Sequence, residues 1–336
     1  MDVTPWVWVA TLVAMLGVLT VDFLMVARRP HEPTLRESSL WVAFYVSLAL
    51  LFGLLVWAGS GPTSAGEFYI GWLIEYSLSV DNLFIFMIIL GRFSVPREYQ
   101  QKVLLIGIVL ALVMRAMFIA TGAVLISRFV WVFYLFGLFL IYTAAKLARG
   151  NQFDGAEKFH ENLLIRVTRR ILPMSDRYDG ARLTTRRGAR RLVTPMLIVM
   201  IAIGTTDLVF AVDSIPAIFG ITREPYLVLT ANIFALMGLR QLYFLLGGLV
   251  RRLVYLTHGL AVVLGFVGAK MLVEALAENN VPFINGGEHV SWAPHVPIWA
   301  SLAVIGPVLA ITAVASLIKT SRDRAREPVL AHQQLN

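Results

Sequence analysis

Nine apolar runs follow one another along the chain, at 5–27, 39–59, 67–91, 103–127, 130–148, 193–220, 225–248, 253–276 and 297–318. A helix that crosses the hydrocarbon core needs roughly 20 apolar residues, and each run has about that length. The pattern predicts an all-α, polytopic membrane protein of about nine transmembrane helices. It divides the chain into two N-terminal helices (1–60), a three-helix unit (61–148), a loop (149–192), a second three-helix unit (193–276), an extracytoplasmic loop (277–296) and a last helix with a cytoplasmic tail (297–336). The leader Met-Asp-Val-Thr before the first run lacks the basic region of a signal peptide, so that run is expected to stay as the first helix.

Composition agrees: 58% of the 336 residues are hydrophobic, 15% are charged and the mean hydropathy is +0.73, more apolar surface than one globular core can use. Cysteine is absent, which excludes disulfides, thiolate metal sites and cysteine redox chemistry. The net charge of +8 points to the positive-inside bias of membrane proteins and not to nucleic acid. With the N-terminus outside, the inner loops and tail collect Arg28, Arg29, Arg36, Arg92, Arg97, Lys102, Arg251, Arg252, Lys319, Arg322, Arg324, Arg326 and eleven basic residues between 149 and 191. The outer loops keep only Arg128 and Arg223. That asymmetry predicts N-outside and C-inside. Within the basic loop, Asn162–Leu172 reads as an amphipathic helix lying on the inner leaflet, and Arg182, Arg186, Arg187, Arg190 and Arg191 as an anchor before the sixth helix. His289 and His295 are loop residues, too loosely spaced for a metal site.

Against this apolar background a few polar positions stand out. Glu75 and Asp81 lie in Glu-Tyr-Ser-Leu-Ser-Val-Asp-Asn, and Asp207 and Asp213 in Asp-Leu-Val-Phe-Ala-Val-Asp-Ser. Intramembrane acids are costly unless they line a pathway or find partners, so these four mark a site. The basic residues within or at the ends of spans pair in the same way. Asp81 matches Asp213, Arg115 matches Arg240 and Lys146 matches Lys270, at offsets between 124 and 132 residues. Helices three to five are thus repeated by helices six to eight. Because three is odd, the second copy enters from the other side, a 3+3 inverted repeat of the kind that places transporter sites at the midplane.

Two acids six residues apart on a straight helix differ by about 120° in direction. Glu75, Ser79 and Asn82 share one stripe, as do Asp207 and Ser214, with Asp81 and Asp213 on the neighbouring one. The expectation is that Asp81 and Asp213 face each other and that Glu75 and Asp207 line the route. Pro216 cannot donate to the carbonyl of Val212, so a bend and a free carbonyl oxygen are expected beside Asp213. Carboxylates, the Asn82 amide and the Ser214 hydroxyl form an oxygen set suited to manganese, magnesium or calcium over copper or zinc. Asn232 is either one more ligand or an interhelical hydrogen bond. Arg115 and Arg240 are expected to pair with acids, Lys146 and Lys270 to snorkel at inner helix ends, and Asp22 and His258 to have structural roles.

The stretches at 75–84, 115–120, 206–219 and 232–244 resemble the TerC family of bacterial integral membrane proteins, and the likeness runs from about residue 5 to 275. The resemblance implies a tellurium-resistance family whose better understood members look like manganese exporters on a fold similar to the LysE transporters. It carries the family's acids to Glu75, Asp81, Asp207 and Asp213, and its asparagines to Asn82 and Asn232. Where the family pattern has a Glu three residues before the first Asp of the second motif, this chain has Gly204, one carboxylate fewer.

The reading that follows is a secondary transporter exporting a divalent cation, Mn2+ first, with protons exchanged on the carboxylates. It is not an enzyme, binds no permanent cofactor and contacts the lipid bilayer. Four carboxylates repel an oxyanion, so a tellurite phenotype would be indirect. The alternative is a membrane scaffold or stress-response assembly factor acting through loop 149–192. A homo-oligomer and a cytoplasmic partner at that loop are left open.

Overall fold

The computed structural model describes residues 3–28, 34–129, 131–149, 175, 178–180, 182–187, 190–247, 255–279, 281–282, 285–290, 292–294 and 296–333. Some side chains inside these segments, Asp81 and Asp213 among them, fall outside that description, as does the amphipathic segment expected at 162–172. The described chain is helical apart from one hairpin. Its helices are α1 (Pro5–Arg28), α2 (Leu35–Arg92), α3 (Arg97–Arg128), α4 (Trp131–Ala148), α5 (Pro195–Phe219), α6 (Pro225–Leu236), α7 (Leu239–Gly247), α8 (Leu256–Ala277) and α9 (Ile298–Gln333). Among the described residues eight helical stretches are long and apolar enough to cross a membrane, α6 and α7 together making one of them. The protein is an all-α polytopic membrane protein.

Helix α2 begins at a cap in which the Thr34 hydroxyl accepts from the Glu37 amide, and it continues for 58 residues. It covers two of the expected spans, because it folds back on itself at Gly61. That residue adopts φ 87°, a conformation open to glycine, and Pro62 restarts the helix with its fixed φ. The two arms lie side by side: the Tyr69 hydroxyl donates to the Leu50 carbonyl at 2.8 Å, and the rings of Phe52 and Phe68 are 4.9 Å apart. The second arm (62–92) carries Glu75, Ser79 and Asn82 into the middle of the bundle.

Close approach between helices relies on missing side chains. A Cβ on Gly268 of α8 would sit 2.8 Å from the Gly137 carbonyl oxygen of α4, and Gly265 lies against Ala144, so α4 and α8 cross antiparallel. Gly107 and Gly204 bring α3 and α5 together at Ile203 and Leu110, and Gly122 faces Phe219 further along, so α3 and α5 run parallel. Helix α1 runs alongside α6 and α7: Thr11 shares a hydrogen bond with Tyr226 at 2.8 Å, and Trp8 meets the Tyr226 ring edge-on.

Two features differ from the sequence expectation. Helix α5 stays helical through Pro216, and the break in the bundle lies between α6 and α7, where Met237 is extended and Gly238 has φ 83°. A buried proline forfeits one hydrogen bond and can remain in a helix, whereas a left-handed residue leaves it. The second is a hairpin in the basic loop, β1 (Thr184–Arg187) against β2 (Arg190–Val193), with Thr184 opposite Val193 and Arg187 opposite Arg190. The Tyr178 hydroxyl ties this segment to the Phe93 carbonyl at the end of α2, at 2.6 Å. The loop histidine His289 is held by the Ala277 carbonyl at 2.9 Å, and His295 is outside the described residues.

The α4–α8 contact leads to a first prediction. Gly268→Ala must push two backbones apart and should lower thermal stability in detergent by about 1–3 kcal/mol. Gly17→Ala, at a position with no atom within 4 Å, should not lower it.

Candidate cation site

At the centre of the bundle one guanidinium gathers three helices around a fourth. Arg115 of α3 donates from Nη1 to Glu75 Oε2 of the second α2 arm at 2.6 Å and to Asn232 Oδ1 of α6 at 2.9 Å. Its Nη2 lies 3.7 Å from Asp207 Oδ1 of α5, close enough for an ion pair but too long for a hydrogen bond. Glu75, Arg115 and Asn232 are 0% exposed and Asp207 is 3%, so the cluster is closed to bulk solvent. The Ser214 side chain, two helical turns past Asp207, is also buried, at 1% exposure.

The cluster is incompletely satisfied. Glu75 Oε1, Asp207 Oδ2, the Ser79 and Ser214 hydroxyls, Asn232 Nδ2 and Arg115 Nε have no hydrogen-bond partner within the protein. Buried polar atoms are nearly always paired, so several in one place mark a ligand or water site. Two carboxylates against one guanidinium also leave one negative charge. This arrangement can accept a cation, provided that Arg115 gives up its place between the acids.

The expected site is therefore rearranged. The matched acids that converge are Glu75 and Asp207; whether Asp81 and Asp213 face each other lies outside the described side chains. Asn232 makes the interhelical hydrogen bond, to Arg115. Asn82 is buried at 6% exposure on the Glu75 stripe. Val212 is 43% exposed on α5, which stays helical through Pro216. Among the described residues no group of three or more His, Cys, Asp or Glu side chains is placed to hold a metal. At Gly204 a Cβ would meet Leu110 Cδ2 at 2.7 Å, so this position is used to seat α5 against α3.

The other predicted ion-pairing residues separate. Arg240 of α7 leaves the acids to Arg115 and donates from Nη2 to Asp22 Oδ1 of α1 at 2.6 Å and from Nη1 to Gln101 Oε1 at 3.3 Å. Gln241 donates to the same Asp22 oxygen at 3.1 Å. Asp22, which sequence reasoning set aside, is thus the partner of Arg240; a lone acid near a helix end gave no sign of a mate 218 residues away. Lys146 is exposed in the last turn of α4, as expected. Lys270 does not snorkel at an inner end. It is buried, 3.6 Å from Glu274, and it lies at the end of the bundle where Arg223 pairs with Glu278 and Thr222 donates to Glu67.

Fold and site together define a multi-pass helical membrane protein with a charged, solvent-excluded centre. The model of the integral membrane protein TerC family matches residues 60–324, and the chain belongs to that family. It is 48% identical over 328 residues to a Mycobacterium tuberculosis protein named only as an uncharacterized membrane protein, covering 97% of this chain and 82% of that one. A Myxococcus xanthus membrane protein is 39% identical over 94% of this chain and 93% of its own length. An Escherichia coli K12 protein bearing the name "Putative membrane-bound redox modulator Alx" is 38% identical over 92% of this chain and 93% of its own. No solved structure matches the chain.

A second prediction concerns the buried ion cluster. Removing one partner of a buried pair costs about 3–5 kcal/mol, because the remaining charge is left unmatched. Arg115→Met should lower the melting temperature of the purified protein well below that of the parent, and adding Glu75→Gln and Asp207→Asn to it should recover most of the loss.

Proposed function

We propose that this protein is a secondary transporter that moves a divalent cation, Mn2+ first among them, out of the cell across the bacterial inner membrane. The observation that carries the reading is the pair of matched acids from α2 and α5 converging in a centre closed to bulk solvent, with unpaired oxygens on Glu75, Asp207, Ser79 and Ser214 around them. All-oxygen sets of this kind favour hard or borderline divalent ions. The parallel run of α3 and α5 and the antiparallel crossing of α4 and α8 are the directions that an inverted pair of three-helix units requires, which supports alternating access at a midplane site. The cation replaces Arg115 between the carboxylates, and protons or the arginine return when it leaves.

The redox role in the name of the E. coli relative has no thiol to act through in this chain, which contains no cysteine. A redox effect would then follow from what crosses the membrane. A role in tellurium resistance is likewise read as indirect, through metal homeostasis. The protein is read as neither an enzyme nor the holder of a resident cofactor.

The test is Mn2+ flux into proteoliposomes of the purified protein. Replacing a ligand should cost at least as much as the roughly tenfold loss typical of a ligand's supporting partner. Glu75→Gln, Asp207→Asn, Asp81→Asn and Asp213→Asn should each therefore reduce flux about tenfold or more, and deletion of 150–174 should leave it. Parent-like flux in the acid variants, or loss of flux on deleting the loop alone, would instead favour an assembly role for the loop.

A further inference from the structure

Arg115 and Arg240 occupy matched places in the two three-helix units, in Leu-Val-Met-Arg-Ala-Met-Phe and Met-Gly-Leu-Arg-Gln-Leu-Tyr-Phe, yet the structure gives them different company. Arg115 holds the central acids. Arg240 is held away from them by Asp22, a residue of α1, which precedes the matched units and the residues 60–324 that the family model covers. The Arg240 Nε has no partner, and neither does Gln241 Oε1, so the holding site is itself only partly satisfied.

Between Asn232, which already touches the central cluster, and Arg240 lies the break at Met237 and Gly238. The eight residues from Asn232 to Arg240 would span about 12 Å as continuous helix. A break between them is where backbone dihedrals can change and re-aim the segment that follows. Gly238 is also confined, since a Cβ there would meet Tyr45 at 2.9 Å. The hinge, the second arginine and its holder thus adjoin one another.

We propose that Arg240 is the second counter-ion of the central acids, parked on Asp22 in this state and exchanged with Arg115 as the transporter changes the side to which it opens. This rests on the transport reading above. One guanidinium is then always paired with the acids when no cation is, and neither end-state leaves two bare carboxylates in the apolar interior. Asp22 sets the balance between the two states by stabilising one of them.

The pair can be tested against a purely structural role, because an ion pair that only anchors α1 should tolerate neutralising both partners together. In Mn2+ flux assays on proteoliposomes, Arg240→Gln should lose at least tenfold and Arg240→Lys should stay within threefold of the parent. Asp22→Asn with Arg240→Gln should be no better than Arg240→Gln alone. Recovery of flux in that double variant would overturn the proposal. A second measurement does not depend on Arg240 variants folding. The chain has no cysteine, so Ala211→Cys, buried one turn past Asp207, is a unique label site. Releasing Arg240 with Asp22→Asn should change its rate of labelling by an impermeant maleimide severalfold, with opposite signs from the two sides of the membrane. Equal rates in both backgrounds would also overturn it. Absence of flux in the parent would tell against cation transport itself, while the labelling comparison still reads the exchange.

Discussion

A guanidinium sealed between two carboxylates in a bundle of apolar helices is the constraint on which this structure turns. Each of these charges alone would be prohibitively costly in a dry interior, and together they are tolerated because the Coulombic attraction between them is also strengthened there. The balance is not complete. Two acids face one base, and Asn232 offers only a carbonyl oxygen to the same donor. A cluster built only for stability would close its hydrogen bonds or be replaced by packed hydrocarbon. One that leaves oxygens unpaired has the groups that the proposed cation would use.

The scaffold places that cluster by local means. Gly61 and Pro62 turn one continuous helix back along itself, which fixes the depth at which Glu75 sits. Glycines where α3 meets α5 and α4 meets α8 let the helices come close, so that the side chains of α2, α3, α5 and α6 reach a common point. Helix α1 packs on the outside of α6 and α7 and contributes the one acid that occupies the second arginine. The rigid elements carry the acids, and the interrupted one carries the arginine that is elsewhere.

Much of the fold was legible because membrane helices are announced by length: each expected span is matched by a helix or a helix arm. The gap between the apolar runs ending at 59 and starting at 67 falls where the chain folds back at Gly61. The break at Gly238 was not legible, since glycine is common in membrane helices and nothing around it reads differently from its neighbours. Pro216 is chemically more conspicuous, but its helix continues. The hairpin at 184–193 was hidden by its charge, which reads as an anchor whatever the backbone does. For the site, residue types and matched spacing picked out Glu75, Asp207, Asn232 and Arg115. They could not say which acids meet, because two residues six apart point in different directions and only tertiary packing selects one. Asp22 was missed for the same reason: its significance is a contact, and contacts between distant helices leave no local mark.

The most direct test of the account is the position of the ion itself, found by anomalous scattering from crystals of the purified protein soaked in Mn2+. The account predicts a single manganese peak at the bundle centre, coordinated by carboxylate oxygens from both the α2 and α5 motifs, with the Arg115 guanidinium moved out from between Glu75 and Asp207. Manganese only at surface carboxylates, with Arg115 still seated against Glu75 and Asp207, would contradict it.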